Sequence, residues 1–114
     1  MRVLVCGGRK FDDARWLNRA LDEAHATTPF TLLIHGDAPG ADRLAALWAE
    51  QRDIMTAPYP ADWAAFGHAA GPIRNKAMLD DAKPDFVIAF PGRKGTRNMT
   101  DQARAAGVPI REIR

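Results

Sequence analysis

Five short apolar runs, with helix-period stretches between them, constrain this chain more than any other feature. Arg2 to Cys6 reads as a strand ending at Gly7-Gly8. Asp12 or Asp13 can cap a helix on which Leu17, Ala20, Leu21 and Ala24 recur at helical spacing. Thr31 to His35 is a second strand, closed by Gly36, and Ala41, Leu44, Ala45 and Trp48 mark one face of the next helix. Asp53 to Ala57 reads as a weaker third strand, and Phe86 to Phe90 as a fourth. Met99, Ala103 and Ala106 supply the inner face of the last helix, Gly107 its C-cap, and Val108 to Ile113 a closing strand.

One stretch breaks this rhythm. Pro58 to Gly71 carries three aromatics, two glycines and two prolines, and reads as a long loop. Tyr59, Trp63 and Phe66 argue against disorder there; they could stack on a base, plug the loop from beneath, or form a contact between subunits. Pro72 suits the first turn of a helix that runs to about Ala82, where Lys83-Pro84 stops it. Alternating strand and helix order predicts an α/β fold with a parallel sheet of about five strands and helices on both faces. Right-handed crossovers make an open, doubly wound sheet the simplest arrangement.

The 114 residues are the size of a single domain, here taken as 1–114. A net charge of +2 is too small to suggest nucleic acid or an acidic membrane surface as partner. The distribution of the charge says more. Arg9, Lys10, Arg43, Arg74, Lys76, Arg93, Lys94 and Arg97 lie in or beside the glycine-rich turns, which focuses positive charge in a way suited to a small anion. Cys6 is the only cysteine, so no internal disulfide or cysteine zinc cluster can form; inside its apolar run it reads as a buried, inert thiol. His25, His35 and His68 are far apart and show no metal-ligand spacing, so no metal site is expected. No apolar run approaches the roughly 20 residues that span a bilayer, and no signal-peptide pattern is present, so the expected location is cytoplasmic.

Parallel strands bring the segments that follow them to one edge of the sheet. Gly7-Gly8-Arg9-Lys10, the segment Gly36-Asp37-Ala38-Pro39-Gly40-Ala41-Asp42, and Pro91-Gly92-Arg93-Lys94-Gly95-Thr96 should therefore converge. The last is the most telling: a buried strand, two glycines three apart, and a threonine able to cap the helix that follows. A strand, a glycine turn and a helix N-terminus together favour a phosphate or another anion. Each turn also has a purely structural account, since glycines ease tight turns and close helix packing. Neither the P-loop pattern nor a GxGxxG after the first strand is present. Arg74-Asn75, after Gly71-Pro72, opens the third long helix, and Arg74 could fork two bonds to a phosphate or carboxylate. Asp42 near a helix N-terminus is most simply a cap.

At these residues the chain resembles the SLOG superfamily, and within it the YspA/YpsA-related branch. The resemblance rests on Val5-Cys6-Gly7-Gly8-Arg9, on His35 to Asp42, on Gly71-Pro72-Ile73-Arg74-Asn75 and on Phe90 to Thr96, in the expected order over essentially the whole chain. It implies a Rossmann-like fold and a role in binding or processing a nucleotide or nucleotide-derived ligand of the ADP-ribose type. It is also compatible with a homodimer. The related LOG phosphoribohydrolases carry PGGxGTxxE and an upstream arginine. Arg74 stands where that arginine would, but Arg93 replaces the second glycine and Met99 the catalytic glutamate. A thioether can neither take up a proton nor stabilise an oxocarbenium ion, and Asp101, about 200° around the helix, faces elsewhere.

The expected function is therefore a binding module or sensor for a small nucleotide-derived ligand. Its ligand residues would be Gly7, Gly8, Arg9, Gly36, Asp37, Gly40, Ala41, Asp42, Arg74, Asn75, Pro91, Gly92, Arg93, Lys94, Gly95 and Thr96. The alternative is a hydrolase of the glycosidic or phosphate bond, with Arg74, Asp37 and Asp42 as catalytic candidates. Distant DprA relatives suggest single-stranded nucleic-acid binding, which the weak net charge opposes.

Overall fold

A computed structural model describes residues Met1–Arg114. Five strands, β1 (Arg2–Cys6), β2 (Leu32–His35), β3 (Thr56–Pro58), β4 (Phe86–Ala89) and β5 (Ile110–Glu112), form one parallel sheet in the order β3-β2-β1-β4-β5. Around it lie α1 (Ala14–Thr27), α2 (Ala41–Glu50), the short α3 (Trp63–Phe66), α4 (Ala70–Ala82) and α5 (Lys94–Ala105). This is the α/β, Rossmann-like arrangement expected from the sequence. Strand order reverses between β1 and β4, which pair directly.

Side-chain alternation along the strands divides the core in two. Val3, Val5, Leu33, Ile88 and Phe90 point to one face and pack with Leu17 and Leu21 of α1 and Ala45 and Trp48 of α2. Leu4, Cys6, Ile34, Val87 and Ala89 point to the other and pack with Met78 of α4 and Met99 and Ala103 of α5. The two helix pairs thus cover opposite faces, as a doubly wound sheet requires. Burying Val87, Ile88 and Phe90 alone contributes about 5–9 kcal/mol of transfer free energy. Phe86 is only partly buried.

Several boundaries differ from expectation for local reasons. Asp13, not Asp12, caps α1, accepting the Trp16 N–H at 3.0 Å. The third strand begins at Thr56, because Asp53 and Ile54 finish α2: their N–H groups donate to Glu50 and Ala49 carbonyls, and Asp53 takes a left-handed φ of 55°. The 58–71 stretch is mostly ordered structure rather than loop. Asp62 accepts the Ala65 N–H at 3.0 Å and starts α3, a 3-10 turn follows, and α4 begins at Ala70 with Pro72 in its first turn. Ala106 is the C-cap of α5 and exposed, so the inner face of that helix ends at Ala103, while Gly107 turns the chain at φ 75° as expected. No helix is long and apolar enough to cross a membrane.

Candidate ligand-binding cleft

At the carboxyl edge of the sheet, where the strand order reverses, a cleft of about 1000 Å³ opens. Its floor is Val5, Cys6, Met78 and Met99, and its walls come from the segments after β1 and β4 and from α4 and α5. The β1 and β4 extensions lie against each other. Gly8 N–H donates to Pro91 O at 2.8 Å, and a Cβ on Gly8 would come within 2.9 Å of that oxygen. Gly7 is just as tight, its Cβ position 2.6 Å from Ala41 Cβ. These glycines allow close backbone approach and also line the cleft.

The start of α5 is the most exposed donor surface. Arg93 is its N-cap and provides no side-chain hydrogen bond, so the N–H groups of the first turn have no capping partner. Thr96 therefore does not cap the helix as expected. It sits in the first turn, its hydroxyl directly over Gly92 Cα, where a Cβ would collide with it. A Cβ on Gly95, in contrast, would meet nothing within 4 Å, and Gly95 has no left-handed φ. The fold does not require glycine there, and its backbone lies exposed in the cleft wall.

Arg74 reaches from α4 across the cleft. Its Nη1 donates to the carbonyl oxygens of Gly36 and Tyr59, and its Nε to Asn75 Oδ1 at 2.9 Å. Nη2 has no acceptor within the chain. Burial lowers the Arg74 pKa, while the Asp42 carboxylate works the other way. Asn75, 3% exposed, in turn donates to Gly95 O at 3.3 Å and to Asn98 Oδ1 at 3.1 Å, linking Arg74 to the first turn of α5.

Asp42 lines the cleft beside the Arg74 guanidinium, both lying against Gly36. Its Oδ2 accepts the Gly36 N–H at 3.1 Å and the Ala38 N–H at 3.3 Å, leaving Oδ1 without a donor from the chain. Burial pushes its carboxyl up to about 6, against those two N–H groups and the charges of Arg74 and Arg9. It is the only acid among the lining residues, beside Arg9, Lys10, Arg74, Arg93 and Lys94. Five cations to one carboxylate select for an anion. The other three basic residues singled out from sequence do not line the cleft: Lys76 pairs with Asp80 at 2.9 Å, Arg43 lies 4.0 Å from Asp37, and Arg97 is exposed on α5.

The cleft thus gathers Gly7, Gly8, Arg9, Asp42, Arg74, Asn75 and all of Pro91 to Thr96. Gly36, Gly40 and Ala41 stand behind it. Gly36 carries Arg74 against its backbone, and Gly40, at φ 84°, packs under Gly8 and Arg9. Asp37 is turned outward and exposed, its N–H held by His35 Nδ1 at 3.0 Å. Burial lowers the His35 pKa, consistent with a neutral ring that accepts this bond. Sequence reasoning missed Phe11, His68 and Asn98 as lining residues, and had left Trp63 among several roles. The helical spacing from Gly95 to Asn98 was the available signal for the last. No group of three or more His, Cys, Asp or Glu is placed to hold a metal ion.

The model of the YAcAr family (YspA, cpYpsA-related SLOG family) matches residues 1–66. The chain is also similar to the Gene 61 protein of Mycobacterium phage D29, at 38% identity over 117 residues covering 96% of this chain and 93% of the phage protein.

Proposed function

Because the chain belongs to the YspA, cpYpsA-related SLOG family, we propose that it binds a nucleotide-derived ligand in this cleft, with a phosphate on the N-terminus of α5. One observation carries the reading: the uncapped first turn of α5 opens, through a glycine the fold does not need, into a cleft with five basic side chains and one acid. N–H groups of that turn and the positive end of the helix dipole would hold the phosphate oxygens. Arg74 Nη2 and Arg93 would add charge-assisted bonds. Asp42 Oδ1, an acceptor without a donor, suits a ribose hydroxyl on the same ligand.

A second reading, hydrolysis of the glycosidic or phosphate bond, draws on Asp42. A carboxyl near 6 inside a cleft can exchange a proton close to neutral pH. Met99 also lines the cleft, so the position that holds glutamate in the LOG enzymes faces the ligand here with a side chain that cannot carry a proton. Binding without turnover is therefore the primary reading.

The test is thermal unfolding with AMP, NAD, ADP-ribose and cyclic nucleotides, each mixture then assayed for breakdown. A ligand at 100 times its Kd adds about 2.7 kcal/mol to stability. A shift with ligand recovered intact supports binding; a product that disappears in Asp42→Asn moves the assignment to hydrolysis. No shift with any member of the panel overturns the reading.

A further inference from the structure

We infer that Trp63 is the platform on which the planar base of the bound nucleotide stacks, using the ring face that Arg9 covers, which makes it a specificity-determining residue of the cleft. The inference rests on the nucleotide-binding reading above. Trp63 is 46% exposed, yet it lines the cleft. Its indole N–H has no acceptor within the chain. Phe11 is the one other Phe, Tyr or Trp that lines the cleft, and its ring is already packed on two aromatic neighbours. Trp48 and Phe90 are fully buried, Phe11 packs on Phe90 and Trp16 at centroid distances of 5.3 and 5.9 Å, and Tyr59 lies against the core on the α4 and α5 side. Phe66 is exposed but does not line the cleft.

The ring is seated on α4 at one edge and covered on one face by an arginine. Its edge rests over Gly71, where an added Cβ would lie 3.4 Å from Cη2. The guanidinium carbon of Arg9, from the opposite wall, stands 5.1 Å from the ring centroid. A guanidinium is a planar cation that accepts an aromatic face. A nucleobase presents a planar π-system to the same face, and Arg9 so displaced would remain at the cleft with its charge available to a phosphate. Gly71, on which the edge of the ring rests, precedes Arg74 by about one turn of α4, so the α3 platform sits beside the helix that carries the arginine. Trp63, Arg74 and the first turn of α5 line the same cleft, so a base on Trp63 would direct its ribose phosphate toward Arg74 and α5.

Stacking of a base on an aromatic side chain changes affinity by about 5- to 150-fold. The experiment compares ribose 5-phosphate with the 5′-monophosphates of adenosine, guanosine, cytidine and uridine by calorimetric titration of wild type, Trp63→Leu and Trp63→Phe. Leucine keeps apolar bulk over Gly71 without a π-face, and phenylalanine keeps both. The expected result is a nucleotide that binds wild type more tightly than ribose 5-phosphate does. Trp63→Leu should lose that advantage while binding ribose 5-phosphate within about twofold of wild type, and Trp63→Phe should retain most of it. Equal losses for nucleotide and ribose 5-phosphate, no loss at all, or a phenylalanine variant as weak as leucine would overturn the platform. Ribose 5-phosphate binding as tightly as every nucleotide would overturn it too, yet leave the phosphate site standing. If neither class binds wild type, the phosphate reading falls and the platform with it.

Discussion

Arg74 donates from Nε to Oδ1 of its neighbour Asn75 at 2.9 Å, a bond that fixes the arginine side chain with the one amide that also holds the start of α5. Through Nδ2 the same carboxamide donates to Gly95 O and Asn98 Oδ1. The main positive charge of the cleft and its bare helix end are therefore set by a single buried side chain.

Asn75→Asp separates these duties. Aspartate can still accept from Arg74 but loses both donors, and points lone pairs at Gly95 O and Asn98 Oδ1. We expect a loss of about 1–3 kcal/mol in urea unfolding, the usual cost of leaving buried polar groups unpaired. Nucleotide affinity should fall with it, because the first turn of α5 loses its tether. A variant with wild-type stability would show that the amide network does not hold the helix.

Two glycines of one turn should respond in opposite ways. A Cβ on Gly92 would lie 2.7 Å from Gly8 N and 2.8 Å from Thr96 Cβ, so Gly92→Ala forces backbone to move and should cost about 1–3 kcal/mol of stability. A Cβ on Gly95 meets nothing within 4 Å, the residue is exposed, and valine is a better helix former than glycine, so thermal unfolding of Gly95→Val should be unchanged or slightly later. Its branched side chain would nevertheless enter the space we propose for the phosphate. Loss of nucleotide binding in a stably folded Gly95→Val is the expected outcome; retained binding would move the phosphate elsewhere.

The sheet was legible because its information is local. Val3 to Cys6, Leu33-Ile34 and Val87 to Phe90 are apolar whichever face each residue points to, which is what a strand covered on both sides requires. Convergence of the glycine turns followed from parallel strands alone. What the sequence could not convey was long-range or conformational. Nothing in Arg74-Asn75 says that the arginine will reach back to Gly36 and Tyr59, 38 and 15 residues away in sequence. Asp37 and Asp42 share a segment and a chemistry, yet a left-handed φ of 53° at Asp37 and the start of α2 at Ala41 turn one outward and the other into the cleft. Sequence leaves base stacking, a plug beneath the loop and a subunit contact all open to Trp63, because the Asp62 cap that starts α3 at this residue is not visible in a stretch that reads as loop.

Cys6 lines the floor of the cleft but is only 7% exposed, and burial pushes its thiol well above the ordinary range, with the Asp42 carboxylate adding to the effect. The native protein at pH 8 should therefore resist iodoacetamide and label at the rate of local opening. Bound nucleotide should slow that labelling further. Fast modification of the folded chain would show a floor far more open than its packing against Met78 and Met99 implies.

Asp42 gives the cleft a defined pH signature. Its folded pKa of about 6 lies above the ordinary 3.8, so the folded state binds this proton more tightly than the unfolded chain does. The stability it contributes is present in full below the unfolded value and is lost as pH rises through about 6. A displacement of this size corresponds to about 3 kcal/mol. Asp42→Asn removes the titration and keeps an oxygen for the Gly36 and Ala38 N–H groups. The stability of wild type relative to this variant, from urea unfolding, should therefore fall between about pH 4 and pH 7 and level off above. A difference that stays flat across this range would mean that Asp42 ionises like an exposed carboxylate and that the cleft is wetter than its walls indicate. A difference that rises with pH would reverse the sign, making the N–H groups and Arg74 outweigh burial and ruling out Asp42 as a proton-exchanging group near neutrality.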